Sequence, residues 1–395
     1  MTNYATGAKM LKVFICPWRP LMLTFCFLIV FSQLLKGDSL ISGVCDGDTN
    51  CFLPDCFCPN NTKGPANVSI DQRPQIVVLA FNDAINDRNY NYYLELLTSN
   101  WKNANGCPIS MTLFVPDVWT NYTQLQQLWL AGAEIAAFGK SGYGQTAEFY
   151  KTITKKSLID EISGQKEQLV KKGKIPAEYI RGFRIPYLYA GGDDMFDVLT
   201  SSGFDYDSSL IVNRRTLNSP PSWPATLDYS WPFECKQGKC PSSSHSSFWE
   251  IPIHLFYDFN QTYECQYLDS CAYAVSNEEE AFQLLWRNYL PFYRNRTPFV
   301  LNLRAALLNN EFQRTAIRRL ILTFMESPEV YMLSMSQLVD WMKNVTSLTD
   351  ITHSEPWSCT AKKLLDTSSS SGSSSELTII ATNIFMFLVL SYHIK

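Results

Sequence analysis

The stretch that decides the fold is Ile76-Val-Val-Leu-Ala-Phe81, an apolar run that leads directly into Asn82 and Asp83. An unbroken run of this length is typical of a strand covered on both faces, as in a parallel sheet. Further runs of strand character follow at 110–115, 134–137, 180–184, 249–253, 299–303 and 330–333. Stretches with helical spacing of apolar residues lie at 92–101, 158–172, 278–289, 312–326 and 337–343. This alternation predicts an α/β protein with a largely parallel sheet, and seven strands predict an incomplete barrel.

Composition and charge narrow the class of protein. The chain has 395 residues, of which 46% are apolar, enough for one large domain or two modest ones. Its formal net charge is -4 and its pI is about 5.7, without a long basic run. We therefore expect no nucleic-acid partner. These features predict no particular oligomeric state.

The first 43 residues have the pattern of a signal peptide region. Basic residues precede the apolar run Leu21–Phe31, and cleavage is plausible between Gly37 and Gly43. An uncleaved signal anchor is the alternative, although the run is shorter than the roughly 20 residues that span a bilayer.

The other end has the pattern of a glycolipid-anchor signal. A Ser-rich stalk at 360–376 precedes an apolar tail at 377–395, which is interrupted by Asn383. A transmembrane helix is the alternative. With the anchor hypothesis, attachment is expected within a short run of small residues: Ser368, Ser369, Ser370, Ser371 and Gly372.

The cysteines predict disulfides. Of twelve, Cys16 and Cys26 lie in the signal region, which leaves an even ten, as five disulfides require. The ten are Cys45, Cys51, Cys56, Cys58, Cys107, Cys235, Cys240, Cys265, Cys271 and Cys359. Short separations favour Cys235 with Cys240 and Cys265 with Cys271. A zinc cluster at Cys56-Phe-Cys58 is the competing interpretation.

Glycosylation motifs agree with a secretory route. The candidate acceptors are Asn60, Asn67, Asn121, Asn260, Asn295 and Asn344. Between the two ends we expect a Cys-rich segment at 44–74 and a barrel at 75–359, with a long excursion at 220–271 pinned by disulfides. Ser276 followed by Glu279 predicts a capping box at the start of a helix.

Several segments carry a resemblance to a known family. Phe81-Asn-Asp-Ala-Ile-Asn86 resembles the Phe-Asp-Asp-Ala-Ile-Asn segment of animal chitin deacetylases, which are polysaccharide deacetylases of the NodB-homology type. Further similar segments follow in the family's order: Cys51–Cys58, Thr120–Thr123, Arg181–Tyr187, Trp223–Tyr229, Trp249–Pro252 and Cys265–Cys271. The resemblance spans Cys45 to Cys359 and implies the family's deformed, incomplete (β/α) barrel, stabilised by disulfides.

The resemblance also implies a chemistry. In the family one Asp and two His hold a zinc-type ion, a second Asp is the general base, and a late His is the general acid. Asp83 matches the ligand Asp, but Phe138 and Gly142 fall on the metal histidines, where neither can ligate. We therefore expect no metal cofactor, although active relatives use zinc.

The proton-transfer positions differ as well. Asn82 falls on the base, and an amide cannot accept a proton from water at neutral pH. Arg184 matches the Arg that orients the base. Arg304 falls on the general-acid histidine, and an arginine stays protonated. Of the remaining histidines, we expect His254 to pack in the protein and His245 to lie in a solvated loop.

The leading hypothesis is a catalytically impaired deacetylase relative that binds chitin or another N-acetylglucosamine polymer at the cell surface. The glycan-stacking candidates are Tyr187, Tyr189, Trp223, Tyr229 and Trp231. One alternative is a hydrolase with a metal-independent site. Its available carboxylates are Asp83, Glu134, Asp193 and Asp194. A second alternative is a protein-binding ectodomain without a glycan ligand.

Overall fold

A computed structural model describes residues 44–65, 67–271, 275–351 and 357. The expected signal region, Ser-rich stalk, anchor positions and apolar tail lie outside these residues, as do His353 and Cys359. In the ranges described, no helix combines the length and the apolar character that a membrane span requires.

One sheet organises the molecule. The strands are β1 (Gln75–Asn82), β2 (Thr112–Val115), β3 (Glu134–Ala137), β4 (Gly182–Phe183), β5 (Ala190–Gly191), β6 (Tyr206–Asp207), β7 (Ile211–Val212), β8 (Ala225–Leu227), β9 (Gly238–Lys239), β10 (His245–Glu250), β11 (Ile253–His254), β12 (Phe256–Tyr257), β13 (Glu264–Cys265), β14 (Phe299–Arg304) and β15 (Val330–Met332). Nine of them form the main sheet, in the order β14-β1-β2-β3-β4-β6-β10-β8, with β15 also paired to β1.

The main sheet is parallel except at one end, where β10 and β8 are antiparallel. Within the described residues no pairing joins β8 to β14 or β15, so the sheet does not close. All seven predicted strands contribute to it, which confirms the α/β class and the incomplete barrel. The added strands β6 and β8 are too short to give a hydropathy pattern.

Helices cover the outside of the sheet. They are α1 (Tyr90–Thr98), α2 (Tyr122–Ala131), α3 (Ala147–Lys151), α4 (Lys155–Lys171), α5 (Asp193–Ser201), α6 (Leu268–Cys271), α7 (Glu278–Asn295), α8 (Glu311–Met325) and α9 (Met335–Lys343). Short 3-10 turns occur at Ile70–Gln72, Gly142–Gly144, Ala177–Tyr179, Pro186–Leu188 and Ala305–Asn309.

The start of α7 differs from the prediction. Asn277 is its cap, and its side-chain oxygen accepts a hydrogen bond from the backbone of Glu280 at 2.9 Å. The backbone N–H of Ser276 instead donates to the Glu280 carboxylate at 2.8 Å. The predicted capping box of Ser276 and Glu279 was therefore wrong by one residue.

Strand β1 is buried on both faces, as its apolar run predicted. Even-numbered positions from Ile76 to Ala80 join an inner apolar cluster with Phe114 and Phe138. Odd-numbered positions from Val77 to Phe81 join the larger cluster that includes the buried sides of the helices. Because side chains alternate along a strand, Asn82 continues the inner face and lies where β1 ends.

The segment 220–271 is less of an excursion than expected. It supplies β8 and β10 to the main sheet. It also contains the local disulfides Cys235–Cys240 and Cys265–Cys271, both of which the short separations predicted. The second disulfide flanks a loop that lies over the carboxyl end of β14, as the contacts of Arg304 show below.

Candidate functional site

The carboxyl ends of the parallel strands bring the family positions together. Asn82 ends β1 and is the register partner of Arg304, which ends β14. Phe138 directly follows β3, and Arg184 directly follows β4. In strand-helix barrels this edge carries the chemistry, so the residues there decide what the site can do.

Asn82 is fully buried and both ends of its amide are engaged. Its side-chain oxygen accepts a hydrogen bond from Nη1 of Arg184 at 2.9 Å. Its side-chain nitrogen donates to the hydroxyl of Tyr267 at 2.8 Å. The amide has no basic atom with which to activate water.

Arg184 occupies the position of the arginine that orients the catalytic base in the family, but here it bonds to the amide of Asn82. Nε and Nη2 donate to the backbone oxygen and the hydroxyl of Ser208, at 2.7 and 2.8 Å. Its guanidinium lies 4.1 Å from the centre of the Phe114 ring. Burial lowers the pKa of Arg184, and the amide of Asn82 supplies no opposing charge.

Asp83 is the one family carboxylate at this edge. Its Oδ2 accepts a hydrogen bond from the backbone N–H of Ala305 at 2.8 Å. Burial raises the pKa of Asp83 to about 6, although the Ala305 hydrogen bond and the charge of Arg304 oppose the rise. A single carboxylate gives one ligand, whereas catalytic zinc sites use three protein ligands.

Phe138 is fully buried in the inner apolar cluster. Its ring meets the ring of Tyr143 edge to face, with 5.0 Å between the centroids. The side chain offers no ligand atom, and its surroundings are those of a packed core.

Gly142 leaves no room for a side chain. Its φ is +52°, in the left-handed region that favours glycine. A β-carbon added there would lie 2.5 Å from the Cβ of Pro116, closer than non-bonded carbons approach. A histidine therefore does not fit this turn, and Asp83, Phe138 and Gly142 together do not fit a zinc ion.

Arg304 stands at the position of the family's general-acid histidine and forms an ion pair with Asp269. Its Nε donates to Oδ2 of Asp269 at 2.8 Å, and its Nη2 donates to the hydroxyl of Ser270 at 3.1 Å. Burial lowers the pKa of Arg304, but the hydrogen bond and charge of Asp269 outweigh it and raise the pKa overall. The guanidinium also lies 5.4 Å from the centre of the Tyr267 ring.

Three residues that sequence reasoning missed complete the site. Tyr267 and Asp269 lie in the loop closed by Cys265–Cys271 and bond to Asn82 and Arg304. The hydroxyl of Tyr143 interacts with that of Tyr267. The sequence predicts the Cys265–Cys271 disulfide and a family likeness, but the spacing does not reveal where this loop lies.

A cleft of about 210 Å³ opens beside Asp83. Its lining combines Asp83, Tyr143 and Trp119 with parts of the loops after β1 and β14. Trp119 is 68% exposed and has a φ of +66°. An exposed tryptophan at a cleft can pack on an apolar ligand face. Trp119 was not among the aromatic residues predicted to bind glycan.

Three of the five predicted glycan-stacking residues are corrected. Trp223, Tyr229 and Trp231 are buried in the protein, so their rings cannot meet a polymer. Trp223, for example, stacks on Trp341. The remaining two candidates, Tyr187 and Tyr189, are half-buried; the hydroxyl of Tyr187 donates to the backbone of Gln145.

His254 and His245 are both buried and contact other protein groups. His254 packs in the protein as expected: its Nε2 accepts from the backbone of Ser222 at 3.0 Å, and burial lowers its pKa to about 3. The solvated loop expected for His245 was wrong. That side chain is buried, with Nε2 3.3 Å from Oδ1 of Asp193 and Nδ1 3.7 Å from Oδ1 of Asp197.

The carboxylates of the alternative hydrolase are not gathered around Asp83. Glu134 is buried and accepts hydrogen bonds from Thr112, Tyr206 and Ser336. Asp193 and Asp194 lie in the first turn of α5. Asp193 bonds to Ser242 and Ser243, and Asp194 pairs with Lys155.

The predicted disulfide chemistry extends to the Cys-rich segment. Cys45 pairs with Cys58 and Cys51 with Cys56, and Cys107 is also disulfide-bonded. Among the described residues, the only cluster of His, Cys, Asp and Glu with metal-ligand spacing consists of Cys45, Cys51 and Cys58. Their sulfurs are oxidised, which overturns the alternative zinc interpretation of Cys56-Phe-Cys58.

The chain is similar in sequence to known chitin deacetylases. No family model matches the chain. Chitin deacetylase 8 of Bombyx mori is 30% identical over 326 residues, which cover 81% of this chain and 83% of that protein. Chitin deacetylase 1 of Bombyx mori is 30% identical over 324 residues, which cover 79% of this chain and 59% of that protein.

The chain is also similar to solved structures. One from Mycobacterium smegmatis, assigned to the polysaccharide deacetylases, has 18% identity and a TM-score of 0.49, covering 71% of this chain and 94% of that one. A CE4 family pseudoenzyme from Bacillus anthracis has 12% identity and a TM-score of 0.40, covering 70% and 69%. On the sequence identity to Chitin deacetylase 8 over four fifths of its length, the chain belongs to the chitin deacetylase-like polysaccharide deacetylase family.

Proposed function

We propose that this protein does not deacetylate by its family's metal route and instead binds chitin or another N-acetylglucosamine polymer outside the cell. The observation that carries the proposal is the turn at Gly142, where Pro116 occupies the space that a metal-binding histidine would need. With Phe138 in the apolar core, two of the three metal ligands are lost together.

The proton-transfer groups support the same conclusion. A metal-bound water needs a base and the leaving amine needs an acid, each contributing typically 10²–10⁴-fold to the rate. Asn82 is an amide bonded at both ends, and Arg304 is an arginine paired with Asp269. Neither can exchange a proton with a substrate at neutral pH.

The glycan side of the proposal rests on the cleft beside Asp83. Its volume of about 210 Å³ is small, of the order of a single sugar ring. It offers a carboxylate, the side chains of Asn86 and Asn309, and the exposed ring of Trp119. Hydrogen-bonding groups beside one aromatic face are the combination that sugar binding uses. The relatives are named for chitin, which gives the polymer class to test first.

Calorimetric titration with N-acetylglucosamine oligomers tests glycan binding. Ala306 is exposed and lines the cleft, so Ala306→Trp should fill it and abolish binding. The matched control is Ala177→Trp, at an exposed turn that belongs to neither the cleft lining nor the buried core. Oligomer binding that survives Ala306→Trp, or no binding by protein produced without N-glycans, would contradict the proposal.

We also infer an extracellular, lipid-anchored location. The disulfides support an oxidising compartment, and the Ser-rich stretch followed by an apolar tail supports an anchor at Ser368 to Gly372. Phosphatidylinositol-specific phospholipase C should release the protein from intact cells. Retention after confirmed enzyme action, with Leu377 to Leu390 still detected by mass spectrometry, would favour a transmembrane tail.

A further inference from the structure

The loop between β2 and α2 places a glycosylation motif beside the cleft. It runs from Pro116, which lies against Gly142, through Trp119 to Asn121, the first residue of Asn121-Tyr-Thr123. The same loop therefore carries the proline that blocks a side chain at Gly142, the exposed cleft aromatic and a candidate N-glycan acceptor.

The loop holds Trp119 in a fixed place. Thr120 donates from its hydroxyl to the backbone of Pro116 at 2.7 Å and from its N–H to Asp117 at 3.2 Å. The carboxylate of Asp117 also accepts from Tyr122 and Lys172, each at 2.7 Å. Because both sides of Trp119 are bonded, its left-handed backbone and 68% exposure belong to the folded loop.

Asn121 lies two residues from Trp119, which lines the cleft. Its backbone N–H donates to Ile85 at 2.7 Å, which ties it to the loop after β1. Its side-chain oxygen caps α2 by accepting from the backbone of Thr123 and Gln124. The side chain is exposed, and its nitrogen is the atom to which a glycan attaches.

We infer that the first N-acetylglucosamine of an Asn121-linked glycan packs on the exposed ring of Trp119 and closes the cleft to external glycan. Trp119 lies two residues before the acceptor, so the two Cα atoms are at most about 7 Å apart and an attached ring can reach the indole. The cleft would thus be occupied by a sugar of the protein's own N-glycan. Its effective concentration at the cleft is high because it is covalently attached. This inference rests on the proposed function for its consequence, which is control of access to the cleft.

The packing is tested without reference to cleft binding. Full-length protein from secretory cells is treated, still folded, with an amidase that removes N-glycans, and loss of glycan is followed site by site by mass spectrometry. Trp119→Ala should speed release from Asn121 at least about fivefold, the factor that ~1 kcal/mol gives. Release from Asn60, which follows a disulfide cysteine rather than an aromatic by two residues, should not change. Equal rates at Asn121, or an unmodified Asn121, would overturn the inference.

The gating is tested with a pair of variants at Thr123, whose side chain is exposed. Thr123→Ala removes the motif but keeps the Asn121 cap, whereas Thr123→Ser keeps both. Thr123→Ala should bind a chitin tetramer at least about fivefold more tightly than Thr123→Ser. Thr62→Ala, which removes the motif at Asn60, should leave the affinity unchanged. Equal affinities for the Thr123 pair would overturn the gating. If neither binds, the proposed function fails with it, while the release rates still decide the packing.

Discussion

At the scale of single residues, Gly142 is the position whose chemistry and geometry agree most closely. Glycine brings no ligand atom, and its φ of +52° with Pro116 against it leaves no place for a larger residue. Matching the family at every substituted position takes Asn82→Asp, Phe138→His, Gly142→His and Arg304→His. The structure adds that the loop at Pro116 would have to move as well.

This geometry gives the first prediction. Gly142→Ala should lower the free energy of unfolding by about 1–3 kcal/mol, because a β-carbon is strained at this φ and meets Pro116. Gly144→Ala is the control in the same turn, where the added carbon would lie 3.3 Å from Val118 and the residue is exposed. Urea unfolding of both variants gives the comparison. An unchanged stability in Gly142→Ala would show that the turn can accept a side chain.

At the scale of elements, β6 and β10 bring two carboxyl groups together inside the barrel. Asp207 and Glu250 are fully buried register partners on these two strands, and Asp207 Oδ2 and Glu250 Oε2 have no hydrogen-bond partner. Burial raises the pKa of Asp207 to about 6. Burial, and then the charge of Asp207, raise the pKa of Glu250 well above its usual range. The pair therefore holds a proton in the folded protein.

The second prediction follows from linkage. Below about pH 4 the unfolded chain also binds this proton, so the contribution of the buried pair to the free energy of unfolding is fully present. This contribution is lost as the pH rises through 6, by up to ~1.4 kcal/mol per pH unit. Asp83, whose pKa is also raised, adds to the same trend. Glu250→Gln should make stability depend less on pH between 5 and 8, whereas Glu178→Gln, at an exposed position, should not. Parallel pH profiles for the wild type and Glu250→Gln would contradict a shared proton.

The third prediction concerns the loop closed by Cys265–Cys271, which presents Tyr267 and Asp269 to the site. Replacing both cysteines by serine should cost about 2 kcal/mol, the entropy of closing so short a loop. The same replacement at Cys235–Cys240 is the control, since that loop bonds neither Asn82 nor Arg304. Hydrogen exchange at Arg304 and Ala305 should rise only in the first variant. Equal exchange in both would separate the disulfide from the site.

At the scale of the whole molecule, the sequence predicted the strands from their local apolar pattern but did not predict the contacts between residues far apart in the chain. The apolar runs located seven of the nine strands of the main sheet, and β1 placed Asn82 at the functional edge. Long-range contacts carry no local pattern: Pro116 against Gly142, and Tyr267 against Asn82, join residues far apart in sequence. The glycan-stacking aromatics were predicted wrongly for the same reason. The local sequence does not distinguish the buried Trp223 and Trp231 from the exposed Trp119.

We propose that this deacetylase-like protein lacks a working metal-dependent site. The direct measurement is acetate release from chitin oligomers by purified ectodomain, with and without added zinc. Losing the base alone should remove at least about 10²-fold of rate, and the metal more. We predict no acetate above the enzyme-free blank in either condition. Zinc-stimulated acetate release that a chelator abolishes would contradict the account and show that other residues complete the site around Asp83.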